Sequence, residues 1–184
     1  IPQDLFLYHL KTKTLKKLKN TLNPEINPGD LVAGQVIRFP SFDSLSIPAI
    51  LYKPHNIQKG DKLPASLYIH GGPGGQTRLN YTDRIQYWVN HGYVVLAVNN
   101  RGSSGYGKTF YNADNLKHGD VGLKDCIASK EFLINTGYVD PNKIGIMGGS
   151  YGGYLVMAAL TFTPNEFAVG INYFGVTNWL RTLR

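Results

Sequence analysis

Hydrophobic and polar residues alternate near the start of the chain, on both sides of KTKT in DLFLYHLKTKTLKKL (residues 4–18). This alternation is typical of two strands joined by a tight turn, a β-hairpin. Asn, Pro and Gly are then crowded into residues 20–30, which predicts a linker with a domain boundary near Asp30. Two more strand-like segments follow at residues 32–39 and 47–54, separated by a polar turn.

From residue 64 onward, short apolar runs typical of buried strands alternate with segments that repeat at helical spacing. The predicted strands are ASLYIHGG, YVVLAVNN, KIGIMGGS and FAVGINYFG, and the predicted helices are DRIQYWVNHG, VGLKDCIASKEFLINTG and YLVMAALTF. Gly92 and Gly137 are the expected ends of the first two helices. Because strands that alternate with helices usually pair in parallel and carry helices on both faces, the sequence predicts an α/β fold.

One serine stands among glycines in the segment GGSYGGY. Gly148, Ser150 and Gly152 fit the pattern GxSxG between a predicted strand (143–147) and a predicted helix (151–161). In a nucleophile elbow this sharp turn holds the serine hydroxyl clear of the sheet, and side chains at the flanking positions would collide with neighbouring elements. We therefore expect Ser150 to be a nucleophile. A glycine-rich turn without chemistry is the alternative.

A second glycine-rich segment, HGGPGG at residues 70–75, ends an earlier predicted strand. A hydrolase of this layout places its second oxyanion donor there, so the expected donors are the backbone N–H groups of Gly72 and Tyr151. His70 is expected to brace this segment by hydrogen bonding, because the catalytic His of such enzymes follows the serine along the chain. The Lys-Ser/Thr of a phosphate-binding P-loop is absent after the serine turn, and HGGPGG does not fit GxGxxG.

Taken together, HGGP (70–73), NNRGSSGYG (99–107) and GGSYGGY (148–154) resemble the motifs of the prolyl oligopeptidase family of serine peptidases. The branch with dipeptidyl peptidases and acylaminoacyl peptidases is the most similar, and PNEF (164–167) and GVTNW (175–179) continue the resemblance. The resemblance implies an α/β-hydrolase domain, incomplete in this chain, that hydrolyses short peptides.

The resemblance also implies that the chain has two parts. Residues 1–30 are similar to the final strands and linker of the β-propeller that precedes the catalytic domain in this family. Residues 31–184 correspond to the N-terminal part of that catalytic domain, with the propeller filtering access of peptides to it.

Individual roles follow from the resemblance, residue by residue. Ser150 is then the nucleophile, and Tyr151 gives its backbone N–H to the oxyanion and lines the pocket beside the scissile bond. Val176 and Trp179 fall where the family builds the wall of its main specificity pocket, and core packing is the alternative for both. Arg101 is expected to fix its own loop rather than to touch substrate.

The partners of Ser150 do not follow it in this chain, because the 34 residues after the serine contain neither Asp nor His. The order in α/β-hydrolases is Ser, then Asp, then His. Upstream candidates are Asp114, His118, Asp120 and Asp125. We expect the predicted helix at residues 119–136 to carry several of them as exposed or capping residues, and His118 as the base would require a different chain order. We therefore expect this chain to be part of a larger enzyme and to be nearly inert by itself.

Composition narrows the other possibilities. The net charge is +7, but five lysines lie together in KTKTLKKLKN, which is more typical of a solvated hairpin than of a nucleic-acid site. No apolar run is long enough to span a membrane, and the opening residues do not form a signal peptide. Cys126 is the single cysteine, so neither an internal disulfide nor a zinc site is expected. We expect no metal ion or other cofactor, and a reducing compartment such as the cytoplasm.

Two other functions remain open on the sequence alone. An esterase or lipase shares the elbow, although the hairpin and NNRGSSGYG favour a peptidase. A non-catalytic module could keep the elbow as a scaffold, because function belongs to the assembled site rather than to the fold. A sheet without its last strands should also expose an apolar edge, so poor solubility or homo-oligomers are expected.

Overall fold

The structure, a computed structural model, describes residues 2–182, so that Ile1, Leu183 and Arg184, the outer ends of the two predicted parts, lie outside it. The described residues form the strands β1 (Leu5–His9), β2 (Thr14–Lys19), β3 (Gln35–Pro40), β4 (Ser46–Tyr52), β5 (Leu63–Ile69), β6 (Val94–Val98), β7 (Val139–Gly149) and β8 (Val169–Tyr173). Their helices are α1 (Asp83–Asn90), α2 (Lys108–Tyr111), α3 (Val121–Asn135), α4 (Tyr151–Phe162) and α5 (Trp179–Thr182), with a 3₁₀ turn at Pro28–Asp30.

A six-stranded sheet in the order β3-β4-β6-β5-β7-β8 forms the centre of the molecule. Strands β3, β4 and β6 pair antiparallel, and β6, β5, β7 and β8 pair in parallel. The chain leaves the central strand β5 toward β6 through α1, then crosses back over β5 to β7 through α3. Because such crossovers are right-handed, these opposite directions put α1 and α3 on opposite faces of the sheet.

The apolar core is correspondingly divided into two clusters, one on each face of the sheet. Strand β6 shows the division, because Val94, Leu96 and Val98 belong to the cluster that contains α3 and α4 residues. Val95 and Ala97 belong to the cluster that contains residues of α1. All five side chains are fully buried, as expected for a strand covered on both sides. The predicted parallel sheet with helices on both faces is confirmed.

The N-terminal hairpin is separate from this sheet. Strands β1 and β2 pair antiparallel with each other, as the alternating pattern predicts, and within residues 2–182 they pair with no other strand. Every residue of both strands is exposed, and an ion pair links Asp4, just before β1, to Lys17 of β2. An isolated hairpin is marginally stable in water. The assignment of residues 1–30 to a propeller stays a prediction.

Several elements differ from the sequence prediction at their ends. Strand β7 begins at Val139 rather than near residue 143, and its pairing with β5 shifts between Val139 and Ile144. Pro141 lies within that shift and has no N–H for the ladder, so the apolar pattern is interrupted there although the chain stays extended.

The helices α2 and α5 have four residues each and were not predicted, because a single turn has no helical period to recognise.

Candidate active site

Ser150 occupies the sharp turn that joins β7 to α4. Its backbone has φ 54° and ψ −119°, in a region that non-glycine residues rarely adopt, so the turn is strained. The N–H of Ser150 donates to the carbonyl of Tyr173 at 3.0 Å, which ties the turn to the end of β8. The residue is exposed at the carboxyl end of the parallel strands. This is the geometry of a nucleophile elbow.

The glycines around Ser150 are required by close contacts between backbones. A β-carbon added at Gly148 would lie 2.6 Å from the carbonyl carbon of Gly152. One added at Gly152 would collide with the carbonyl oxygen of Ile69, at the end of the neighbouring strand β5. One added at Gly71 would lie 3.2 Å from the β-carbon of Ser150. The predicted reason for the glycines is therefore confirmed at Gly148 and Gly152.

The HGGPGG segment lies against the elbow. Gly71 is the residue next to Ser150, and Gly72 follows it with φ 138°, a conformation that favours glycine. The N–H of Tyr151 belongs to the first turn of α4, where backbone N–H groups have no acceptor within the helix. Of the two predicted oxyanion donors, Gly72 follows the glycine that lies against Ser150 and Tyr151 directly follows the serine, so their role stays a prediction.

The His70 side chain connects the HGGPGG segment to the segment that contains Ser103. Its Nδ1–H donates to the carbonyl of Gly71 at 2.8 Å, and its Nε2 lies 2.8 Å from Oγ of Ser103. Burial lowers the pKa of the His70 imidazole, which favours the neutral ring. Further along, the N–H of Ser104 donates to the carbonyl of Gly75 at 3.0 Å. The segment containing Ser103 therefore holds the glycine segment in place, in agreement with the bracing role expected for His70.

Arg101 fixes the segment NNRGSSGYG (99–107) through an ionic cluster of one buried and one partly exposed carboxylate. Its guanidinium donates to both carboxylate oxygens of Asp43 at 2.9 Å, and to Asp125 through Nε and Nη2 at 2.8–3.1 Å. Asp125 also accepts from the N–H of Arg101 at 2.9 Å and from the hydroxyl of Ser41 at 2.6 Å. The predicted structural role of Arg101 agrees with these contacts. The expectation of exposed carboxylates on α3 is wrong for Asp125, because its side chain is fully buried.

Side chains after Ser150 form an aromatic cluster beside it. The ring of Tyr151 is buried and lies 6.3 Å from that of Trp179 and 5.7 Å from that of Tyr154, between centroids. Trp179 also contacts Tyr154 edge to face at 5.1 Å. Val176 donates its N–H to the carbonyl of Ser150 at 3.3 Å. The structure therefore brings Tyr151, Val176 and Trp179 together next to the serine, with Val176 and Trp179 half-buried.

No acid and base accompany Ser150 in the described part of the chain. Across residues 2–182 the hydroxyl of Ser150 makes no hydrogen bond to another protein group. Asp120 is exposed and paired with Lys124 at 2.9 Å, as expected for a residue at the start of a helix. Asp114, which precedes the helix, is buried and lies 3.2 Å from Nδ1 of His118. His118 contacts the hydroxyl of Tyr151 at 3.2 Å, a contact that no local sequence pattern indicates.

Two other kinds of site have no counterpart in the part of the chain that the structure covers. None of its helices is both long enough and apolar enough to cross a lipid bilayer. Three or more His, Cys, Asp or Glu side chains do not converge on a common point there, as a protein metal site would require.

Comparisons with known proteins agree with this geometry. The chain is 35% identical to dipeptidyl aminopeptidase BIII of Pseudoxanthomonas mexicana, over 99% of the chain and 27% of that protein. A puromycin-hydrolyzing peptidase of Mycobacterium tuberculosis superposes with a TM-score of 0.89 at 27% identity, over 98% of this chain and 28% of its own. Acylaminoacyl peptidase of Pyrococcus horikoshii superposes with a TM-score of 0.79 at 29% identity, over 97% and 28%.

The chain therefore spans about a quarter of the length of these relatives. The structural matches confirm the predicted α/β-hydrolase fold, of which the chain contains a part. The sequence model of the prolyl oligopeptidase family matches residues 79–184, which include the elbow and the aromatic cluster. The resemblance seen in the motifs is confirmed, and the chain belongs to the prolyl oligopeptidase family.

Proposed function

We propose that this chain carries the nucleophile and the oxyanion site of a serine peptidase, whose general base and acid lie in the rest of a longer parent protein. The observation that supports this most is the conformation of Ser150, which is strained, exposed and directly followed by the start of α4. A strained residue persists only when its surroundings hold it, and such strain is concentrated at functional sites. A structural turn at this position would not need an exposed hydroxyl.

The proposed reaction proceeds through an acyl-enzyme. Oγ of Ser150 attacks the carbonyl carbon of the scissile peptide bond while a His of the parent protein accepts its proton. The negative charge on the carbonyl oxygen is stabilised by the N–H groups of Tyr151 and Gly72, and by the positive end of the α4 dipole. The His then protonates the leaving amine, the C–N bond breaks, and water hydrolyses the ester on Ser150.

The proposed substrates are short peptides, with Tyr151, Val176 and Trp179 around the residue that precedes the cleaved bond. Support comes from the aromatic cluster beside Ser150 and from the peptidase names of the relatives. We further propose that residues 1–30 belong to a propeller and residues 31–184 to the catalytic domain. The separate, fully exposed hairpin supports this division. The single buried Cys126 fits a reducing compartment such as the cytoplasm.

Intact mass after exposure to a fluorophosphonate tests this proposal. The two samples are this chain and the longest natural chain that contains it, with Ser150→Ala as the control in each. We expect the longer chain to gain one adduct at Ser150 and this chain to gain essentially none, because loss of the base costs on the order of a millionfold in rate. An unlabelled longer chain would contradict the proposal and favour a non-catalytic module.

Assays of the longer chain on matched ester and peptide substrates distinguish the two hydrolase classes. We expect cleavage of a short peptide amide that is lost in Ser150→Ala. Turnover of the ester without any turnover of the peptide would favour an esterase or lipase over the proposed peptidase.

A further inference from the structure

The phenol of Tyr151 contacts the side chain of His118, which the proposed reaction does not use. The Tyr151 side chain is buried, and its hydroxyl lies 3.2 Å from Nδ1 of His118. A buried tyrosine hydroxyl normally requires a hydrogen-bond partner, because leaving it unpaired costs about 1–3 kcal/mol. His118 therefore holds the far end of the side chain that directly follows the nucleophile.

His118 is itself held by contacts on several sides. Oδ2 of Asp114 lies 3.2 Å from Nδ1, close enough for an ion pair with a protonated ring, but among the residues that the structure covers this buried oxygen accepts no hydrogen bond. The ring of Trp179 stacks on the imidazole at 5.9 Å with an angle of 14° between the planes. The hydroxyl of Tyr154 donates to the backbone carbonyl of His118 at 3.3 Å. The imidazole is 34% exposed, so these contacts orient one side of the ring while its other side faces solvent.

The burial of Asp114 explains why its carboxyl lies close to the imidazole of His118. The carboxyl is buried beneath the loop, and its burial raises the pKa of Asp114. A β-carbon at Gly102 would collide with this carboxyl, so the segment 99–107, which contains Gly102, approaches it closely. A buried carboxylate is costly without a partner, and the His118 ring nitrogen lies 3.2 Å from it.

We propose that Asp114 and His118 are positioning residues that set the shape of the substrate pocket. The Asp114 carboxylate, 3.2 Å from Nδ1, favours the ring orientation in which Nδ1 meets the Tyr151 hydroxyl, and the imidazole in turn supports Trp179. Tyr151 and Trp179 are two of the proposed pocket residues, so this inference rests on the proposed function. Asp114 and His118 would thereby influence which substrates are cleaved, according to the size of the residue before the cleaved bond. Neither group touches the reacting atoms.

The test uses the longest natural chain that contains these residues and two peptide substrates that differ only before the cleaved bond, Gly in one and Phe in the other. In His118→Leu we expect kcat/KM to fall about tenfold for the Phe substrate, the value of one hydrogen bond with its stacked ring. For the Gly substrate, which leaves the pocket empty, we expect less than a twofold change. His118→Asn should recover most of the loss, because its amide N–H replaces Nδ1–H.

A double-mutant cycle separates positioning from a general effect on folding. In the Tyr151→Phe background, His118→Leu should cause a clearly smaller further loss than in the unsubstituted chain, because the contact with the Tyr151 hydroxyl is already removed and only the stacking on Trp179 is left to lose. Asp114→Asn, which keeps the shape of the side chain, gives the same comparison if His118→Leu fails to fold. His91→Leu is the matched control, because His91 also contacts a tyrosine ring, Tyr87 at 4.1 Å, but on α1.

The outcomes distinguish this inference from the function on which it rests. Equal losses for the Gly and Phe substrates, or independent losses in the cycle, would overturn the positioning role while fluorophosphonate labelling of Ser150 persists. Absence of labelling at Ser150 would overturn the proposed function and this inference with it.

Discussion

The segments on the two sides of Ser150 along the chain differ in how firmly they are held. Before it lie the braced segments, residues 70–77 and 99–107, which are cross-linked by hydrogen bonds between His70 and Ser103 and between Thr77 and Asn99. After it lies the C-terminal segment, residues 174–182, in which no described residue is buried.

The C-terminal segment also exposes large apolar side chains. Phe174 is 96% exposed and Leu180 is 73% exposed, whereas Asn99, Asn100 and Arg101 in the braced segments are buried although they are polar. The usual distribution of polar and apolar residues is therefore reversed between the two sides of the serine. The proposed oxyanion side is packed by braced segments of this chain, whereas the described C-terminal segment leaves large apolar side chains uncovered.

The largest expected effect is a loss of stability when the ionic cluster around Arg101 is removed. Arg101→Met should lower the free energy of unfolding by about 3–5 kcal/mol, because it leaves the fully buried carboxylate of Asp125 without its counter-ion. Urea denaturation of this chain measures the change. Arg38→Met is the matched control, because Arg38 is exposed and forms no ion pair among the described residues, so it should change stability by less than about 0.5 kcal/mol. Equal effects of the two substitutions would show that the cluster does not hold the segment.

The exposed side chains of the C-terminal segment predict self-association. Replacing both Phe174 and Leu180 by Ser should weaken association of this chain by roughly 100-fold, since each buried apolar side chain contributes about 1.5 kcal/mol or more. Light scattering over a range of concentrations measures the change in average mass.

The hairpin offers the control for that experiment, because it also exposes apolar residues. Leu10 is 82% exposed and Leu15 is 64% exposed, and changing both to Ser should leave the average mass unchanged. A monodisperse monomer before any substitution would contradict the prediction. Loss of association only in the hairpin variant would show that the chain associates through the hairpin instead of the C-terminal segment.

The sequence could predict the elbow because its determinants are local. Strand, glycine, serine and helix follow one another within some twenty residues, so the pattern contains the turn. The ionic cluster joins Asp43, Arg101 and Asp125 from three separate segments, and no spacing in the sequence relates them. The contact between His118 and Tyr151 is of the same kind. Periodicity indicates which face of an element is buried, but it does not identify the partner of a buried polar group.

A substitution at the elbow itself would disturb both sides of the comparison at once. Gly152→Ala should lower the free energy of unfolding by about 1–3 kcal/mol, because the new methyl group meets the carbonyl oxygens of Ile69 and His70 at the end of β5. Gly122→Ala is the matched control on α3, where an added β-carbon makes ordinary contacts at 3.5 Å. Removal of a helical glycine should there increase stability by about 0.5–1 kcal/mol. Destabilisation by both, to a similar extent, would contradict the close packing proposed for the elbow.

The smallest expected effect is the pH dependence that Asp43 contributes to the braced segments. Hydrogen bonds from Arg101 lower the pKa of Asp43 from 3.8 to about 2 in the folded chain. Because the folded pKa lies below the unfolded one, the contribution of Asp43 is fully present well above pH 4 and is lost as the pH falls toward 2. The Asp43 side chain is 42% exposed, so screening by solvent limits this contribution to at most about 1 kcal/mol.

Comparison of this chain with Asp43→Asn in urea, between pH 6 and pH 2.5, measures that contribution. We expect the variant to be slightly less stable at pH 6, and the difference to narrow steadily below pH 5, because protonation removes the charge that Arg101 stabilises. Asn keeps the shape of the side chain and one acceptor oxygen, so the pH-dependent part of the difference reports the charge alone. A difference that stays constant over this range would mean that Asp125, which is fully buried, supplies the whole ionic contribution that holds Arg101 and the braced segments.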